Sequence, residues 1–334
     1  MDIRTTSLDS AGFFRRFDEV CTFGLMMVPD FSMMAFTALV EPMRIANRCA
    51  GRTLYDWRLL SIDGEPVRAS NGLTINAEGT FRSAEKFSAT IVCSGERVPK
   101  YDHKELIAVL RRMSSFGSAV GAVCTGTYVL AKAGLLNGYQ STIHWEDYPS
   151  LVSDFPDLDV SQELFEIDRN RFTCAGGTAA IDMMLALIAR EYGPELAAQI
   201  TDMLVHHRMR ESDERQRMDL RSRLGVAHPK LLSVVKRMEE TVDSPVSCAE
   251  LARQEGISTR QLERLFSKYL GHSPTRHYLT VRLERARFLL LQTSMPILSV
   301  AMACGFVSAS HFSKSYHEHF RRTPSAERRG AKAD

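Results

Sequence analysis

"LARQEGISTRQLERLFSKYLGHSP", residues 251–274, returns in altered form as "VAMACGFVSASHFSKSYHEHFRRTP", residues 300–324. Ala252 aligns with Ala301, Gly256 with Gly305, Leu262 with Phe312, Phe266 with Tyr316 and Pro274 with Pro324. The second copy carries one additional residue in its turn. Each copy places a small residue on a first helix and a Gly four positions later. An apolar-periodic second helix follows, with a Pro expected to stop it. Ala permits close helix crossing and Gly takes the backbone conformation a tight turn demands, so each copy reads as a helix-turn-helix. One such match is weak evidence. Two in tandem at one spacing are strong.

Working outward, residues 230–326 show helical periodicity and no alternating strand pattern. Residues 230–334 carry 17 Lys and Arg against 10 Asp and Glu, a net +7, which leaves residues 1–229 at 25 against 30, a net −5. A basic tail on an acidic front suggests a nucleic-acid partner for one end only. The stretch "HHRMRESDERQRMDLRSRLGVAHP" before it is dense in charge and reads as a helix end followed by an exposed linker, with Pro229 opening the next domain.

Residues 230–329 resemble the AraC/XylS transcription regulators, through "GISTRQLERLF", "RLERARFLLLQTSMPILSVAMACGF" and "FVSASHFSKSYHEHF". One departure is Arg321, where the family usually has Gly, as Gly271 stands in the first copy. The resemblance implies that the second helix of each motif enters a major groove and reads base edges. It places Arg260, Glu263 and Arg264 at reading positions in the first motif, and Ser308, Ala309, Ser310 and Lys314 at the second. Arg260 and Arg264 lie four apart on one face, suited to guanine edges or phosphates. Glu263 is expected to serve a local ion pair. Two linked motifs should address grooves about one turn, roughly 34 Å, apart.

From Thr22 to about Arg190 strand-like runs alternate with amphipathic ones. "TFGLMMV", "YDWRLLSI", "ATIVCSG" and "SAVGAVC" are short and apolar, and the helical runs between them close on Gly. That alternation predicts an α/β domain, a mostly parallel sheet with helices on both faces. Within it "GAVCTGTYVLAKAGLL", residues 121–136, reads as strand, sharp turn and helix with Cys124 at the apex. The pattern is that of a nucleophile elbow, whose following helix points its amides at the site. His144 in "STIHWED" is the partner a thiol nucleophile would want. "CAGGTAA" at 174–180 offers another Gly-rich turn ahead of a helix.

This front half, residues 20–195, resembles the class I glutamine-amidotransferase-like superfamily in its intracellular-protease-like branch. Within it the sensor domains joined to AraC-type motifs are most similar, through "AFTALVEPMRIANR", "GAVCTG", "IHWE" and "CAGGTAAIDMMLALIAR". The resemblance reaches regulators of glycine betaine, carnitine and arginine catabolism. The enzymes of that branch place an acid after the first strand to support the thiol. Here the position falls near Ala35 in "VPDFSMMAF", and the acid is missing. The site is therefore expected to line a ligand pocket at the carboxyl edge of the sheet. Phe31, Glu41, Cys124, Thr125, His144, Trp145, Glu146 and Gly177 are the expected ligand-binding residues. Aromatic faces with a nearby carboxylate suit a quaternary ammonium, and helix-terminal amides suit a carboxylate. The alternatives left open are a wholly structural Cys124, a cysteine-dependent hydrolase joined to a DNA-binding domain, and a ligand-independent DNA architectural protein.

The 44% hydrophobic and 25% charged content belongs to an ordinary globular chain, and no apolar run approaches the ~18 residues of a membrane span. Seven cysteines without a CxxC pair suggest reduced thiols and a cytoplasmic home. His206–His207 and His317/His319 have no third ligand at sensible spacing, so no metal and no cofactor are expected. The expected domains are a leader (1–19), a sensing domain (20–207), a linker (208–228), the DNA-binding domain (229–329) and a tail (330–334). The expected function is a DNA-binding transcriptional regulator, an activator by resemblance, controlled by a small nitrogenous metabolite. Its expected partners are promoter DNA, an effector of the betaine, carnitine or arginine class, RNA polymerase and a second copy of the chain.

Overall fold

The runs Ala89–Cys93 and Ala119–Val123 carry no exposed residue, as strands covered on both faces require. The computed structural model describes residues 20–83, 86–96, 98, 101–293 and 295–333, with side chains to 329. The leader expected at 1–19 lies outside the described residues, as do the side chains of the tail. The chain divides into two units, between Gln216 and Arg217.

The first unit begins with β1 (Cys21–Met27), α1 (Met33–Ala50), β2 (Tyr55–Ser61), short β3 (Val67–Arg68), β4 (Thr74–Ile75) and β5 (Gly79–Thr80). It continues through β6 (Ala89–Cys93), α2 (Lys104–Ser115), β7 (Ala119–Val123), α3 (Gly126–Lys132), β8 (Gln140–Thr142), α4 (Tyr148–Asp154) and β9 (Asp159–Ser161). It closes with β10 (Phe165–Asp168), β11 (Arg171–Cys174), α5 (Ala179–Tyr192) and α6 (Pro194–Met203). Seven strands form one sheet in the order β10-β11-β7-β6-β1-β2-β5, parallel except for β10 against β11. Successive residues of β6 serve opposite faces. Ile91 and Cys93 pack with α1 and α5, and Val92 packs with α2 and α3. Where β7 meets β11, the Phe172 ring would lie 2.2 Å from any Cβ at position 121, so only Gly121 lets the strand pass.

The outward edge of β2 is managed by side chains. Asn47 donates to the Tyr55 carbonyl at 2.7 Å and accepts from its amide at 2.8 Å, and Glu78 does the equivalent for the Leu59 amide at 2.9 Å. Capped edge groups discourage strand addition.

The second unit is wholly helical: α7 (Leu220–Leu224), α8 (Pro229–Glu240), α9 (Cys248–Gln254), α10 (Thr259–Leu270), α11 (Pro274–Gln292), α12 (Ile297–Ala303), α13 (Ala309–Phe320) and α14 (Pro324–Ala333). The repeat is visible in three dimensions. Ala252 and Ala301 are buried at the helix crossings, and Gly256 and Gly305 turn with φ 62 and 72. Leu262 and Phe266 fill one small core, Phe312 and Tyr316 the other, and α11 contributes Tyr278 to the first and Leu283 and Leu290 to the second. Each fully buried Leu or Phe contributes about 1.5–3 kcal/mol.

Two expectations are corrected. Pro274 and Pro324 do not stop the motif helices; each is the first residue of the next helix, where its missing N–H costs nothing. Gly271 and Arg321, both left-handed, end α10 and α13. The stretch 208–228 is no exposed linker either. Arg210 and Gln216 bond into the first unit, while Leu220 and Leu224, four apart on α7, pack on the first helical core.

Candidate functional site

Strand β7 delivers its chain to the apex through buried Val120–Val123, and Cys124 then adopts φ 59. That left-handed turn is unfavourable for a side-chain-bearing residue and is characteristic of an exposed-nucleophile elbow. The turn is fixed from three sides. The Cys124 amide donates to the Cys174 carbonyl at 3.0 Å. Gly176 presses on it so closely that a Cβ there would lie 2.7 Å from Cys124 Cβ. The Thr125 hydroxyl donates to the Gly95 carbonyl and lies 3.3 Å from Ser94 Oγ, tying the elbow to the loop after β6.

The electrostatics oppose a thiolate. Burial pushes the Cys124 thiol far above its usual value and the Asp147 carboxylate pushes it further; the Thr125 amide works against them, and Cys174 and Glu146 add smaller upward pushes. Nucleophilic cysteines show the reverse shift, beside cations or unopposed helix termini. His144 is half-buried, and burial lowers its pKa. Its Nδ1 faces Glu146 Oε2 at 3.8 Å, and its ring lies 5.5 Å from that of Trp145. Among the described residues no hydrogen bond links the Cys124 thiol to His144. The first turn of α1 holds no acid, and Ala35 there is fully buried.

Of the expected ligand residues, Cys124, His144, Trp145, Glu146 and Gly177 are half-buried on turns that follow β7, β8 and β11. Gly177 has open space where a side chain would stand. Three others sit differently. Phe31 is fully buried: its backbone bridges Ala69 and Gly95, and its ring packs edge-on against Phe36, so it is core. Glu41 lies on the outer side of α1, with its carboxylate 2.6 Å from the Arg44 guanidinium. The Thr125 hydroxyl is spent on the neighbouring loop, and its amide is directed at the Cys124 thiol. Asp147, the strongest charge acting on Cys124, escaped the sequence reading, although it stands in the same "IHWED" run. A groove of about 330 Å³ lies elsewhere, over the starts of β1 and β2, lined by Thr22, Asp56, Arg58, Lys86 and Phe87.

The helical unit presents the second candidate surface. The hydroxyl of Ser258 caps α10 reciprocally with Gln261, and Ser308 caps α13 through the His311 amide. Arg260, Glu263 and Arg264 on α10, and Ser308, Ala309, Ser310 and Lys314 on or before α13, are all exposed. Among the described residues, Arg260, Arg264 and Lys314 make no ion pair, so their charges are available. Glu263, expected in a local ion pair, makes none among the described residues either. Val307, 99% exposed just before the α13 cap, was missed by sequence reading.

Residues 251–330 match the model of the helix-turn-helix domain, and residues 28–190 that of the DJ-1/PfpI family. The chain is 46% identical to the HTH-type transcriptional regulator GbdR of Pseudomonas aeruginosa, over 92% of this chain and 84% of that protein. The chain belongs to the AraC-type transcriptional regulators. It is also 43% identical to the HTH-type transcriptional regulator CdhR of the same species, over 92% of this chain and 91% of that one. A crystal structure of an AraC family transcriptional regulator from Pseudomonas putida superposes with TM-score 0.52 at 29% identity, over 55% of this chain and 99% of that one.

As an AraC-type regulator the protein binds DNA, and its helical unit is built to hold both motif turns rigid. Lys230 Nζ donates to the Glu255 carbonyl at 2.8 Å in the first motif. In the second, Arg282 donates to the Cys304 and Gly305 carbonyls, both at 2.8 Å, with its guanidinium over the Phe306 ring. Each cation satisfies carbonyls that a helix end leaves without partners. No helix among the described residues is long and apolar enough to cross a membrane.

Proposed function

We propose that this regulator is an activator whose hold on promoter DNA answers to a small nitrogenous metabolite seated at the Cys124 elbow, with no chemistry done on it. Cys124, His144, Trp145, Glu146 and Gly177 line that seat together with Asp147. Glu146 and Asp147 balance a cationic nitrogen, the Trp145 face packs on it, and the amides at Thr125 and Gly177 meet a carboxylate. Arg260, Arg264, Ser308, Ser310 and Lys314 contact DNA, and Val307 offers an apolar surface to a thymine methyl. The chain works as a homodimer with RNA polymerase in the cytoplasm, where its seven cysteines stay reduced.

The observation that carries the reading is an elbow kept in its left-handed form, pressed by Gly176, around a thiol that burial and the Asp147 carboxylate disfavour as a thiolate. A melting screen of the full-length protein with glycine betaine, carnitine and arginine tests it. A true effector at 100 times its Kd should stabilise by about 2.7 kcal/mol. The φ of 59 at Cys124 favours one rival, a thiol hydrolase joined to a DNA-binding unit. Amide turnover abolished by Cys124→Ala would establish that rival.

A further inference from the structure

The chain that leaves the α/β unit does so under restraint. Helix α6 ends at Met203 and the backbone reverses at Val205, a β-branched residue with φ 53. A left-handed valine is sterically unfavourable and persists only where its surroundings hold it. The restraint follows at once. Asp182, a wholly buried carboxylate on α5, lies 3.0 Å from His206 Nε2 through Oδ1, and Oδ1 also accepts from the Arg210 amide at 2.8 Å. Asp182 Oδ2 accepts from Arg210 Nε at 3.0 Å and Nη2 at 2.6 Å.

Arg210 reaches further. Its Nη2 donates to Thr178 Oγ1 at 2.8 Å. Thr178 is the N-cap of α5, yet its hydroxyl caps no helix amide; it serves Arg210 instead. It directly follows Gly176 and Gly177, the turn that presses on Cys124. Six residues after Arg210, Gln216 Nε2 donates to Thr142 Oγ1 at 3.1 Å, the Ile143 carbonyl at 3.0 Å and the Glu163 carbonyl at 2.8 Å. Ile143 directly precedes the turn carrying His144 to Asp147. Between the two anchors the Leu164 amide donates to the Ser212 carbonyl at 2.9 Å. One outgoing segment thus holds the 176–178 turn through Arg210 and the strand end that leads into the 144–147 turn through Gln216, the last residue of the unit.

We propose that residues 206–216 are the coupling element of this regulator. Arg210 registers the position of the 176–178 turn and Gln216 that of the 144–147 turn. A ligand that moves either turn changes the grip on the chain leading to the helical unit. The regulatory part rests on the elbow being the effector's seat; the mechanical link between segment and turns does not.

Two variants separate these. Thr178→Ala removes one acceptor of Arg210 and leaves Asp182 paired, and Gln216→Ala removes three hydrogen bonds. Arg210→Ala is avoided because it strands a buried charge. Hydrogen exchange on the full-length protein needs no ligand. Gln216→Ala should speed exchange at 143–147 as well as at 206–216, and Thr178→Ala at 206–212 as well as at 176–178, each by about tenfold. Acceleration confined to the sequence neighbours of the substitution overturns the link.

With glycine betaine and L-arginine as probes, both variants should keep probe affinity within about threefold. The probe-induced change in promoter affinity should fall by about fivefold or more. A change of wild-type size in both variants overturns the proposal, and so does joint loss of binding and response, which would make the segment a pocket wall. A wild-type protein whose melting neither probe alters counts against the effector reading, and the exchange comparison still decides the link.

Discussion

Cys124 joins two opposed features in one residue. Its backbone keeps the geometry of a nucleophile while its surroundings raise the thiol's pKa, through burial first and the Asp147 carboxylate next. Because the shift is upward, the neutral form dominates throughout the physiological range, and alkylation by iodoacetamide should lag behind that of a free thiol with a pKa of about 8.5 at every pH. A labelling midpoint below pH 7 would contradict this. His103 and His144 carry the opposite shift, lowered chiefly by burial. The unfolded chain then takes up protons more readily than the folded one, so stability is lost as pH falls below about 6.5. The melting temperature should drop between pH 7 and pH 5.5, and His144→Asn should remove part of that drop. A melting temperature that rises on acidification would refute the assignment. At this scale the sequence is only half legible. The apex Cys, the missing acid at Ala35 and the His-Trp-Glu run could all be read. Phe31 and Glu41 could not, because an aromatic after a strand looks the same whether it enters a pocket or bridges two loops, and a helix-surface Glu needs its Arg44 partner to be seen.

Among the elements, the two helix-turn-helix copies show how one architecture tolerates different sequences. Leu262 and Phe266 in one core correspond to Phe312 and Tyr316 in the other, and each motif turn is pinned by a cation from another helix. The copies differ at their ends. Gly271 closes α10 with φ 73 and no steric cost, whereas Arg321 closes α13 with φ 58 against the preference of a side-chain-bearing residue. Arg321→Gly should therefore stabilise the helical unit by about 1 kcal/mol in urea unfolding of the full-length protein, and loss of stability would contradict the strain. Strand and helix identity was legible here because period and Gly punctuation agree with the tertiary fold. The roles of Pro274 and Pro324 were misread, since a Pro after a helix and a Pro opening the next one occupy the same place in the chain. Leu220 and Leu224 were lost among neighbouring charges, and with them the short helix α7.

In the whole molecule, a basic reader and an acidic sheet-built front share one chain, and the charge asymmetry visible in composition follows that division. The anchoring of 206–216 had no sequence signature, because Asp182–Arg210 and Gln216–Ile143 join residues far apart in the chain. Specific DNA reading is the property on which regulation depends, and the proposed function assigns part of it to Arg260 and Arg264, both exposed on α10. The direct test is the affinity of full-length wild type and Arg264→Ala for a promoter fragment and for a scrambled duplex at one fixed salt concentration. The expected result is a preference for the promoter in wild type and a loss of about 1–3 kcal/mol in Arg264→Ala, on the promoter fragment only. Equal affinity of the wild type for both duplexes, or an equal loss on both in the variant, would contradict it.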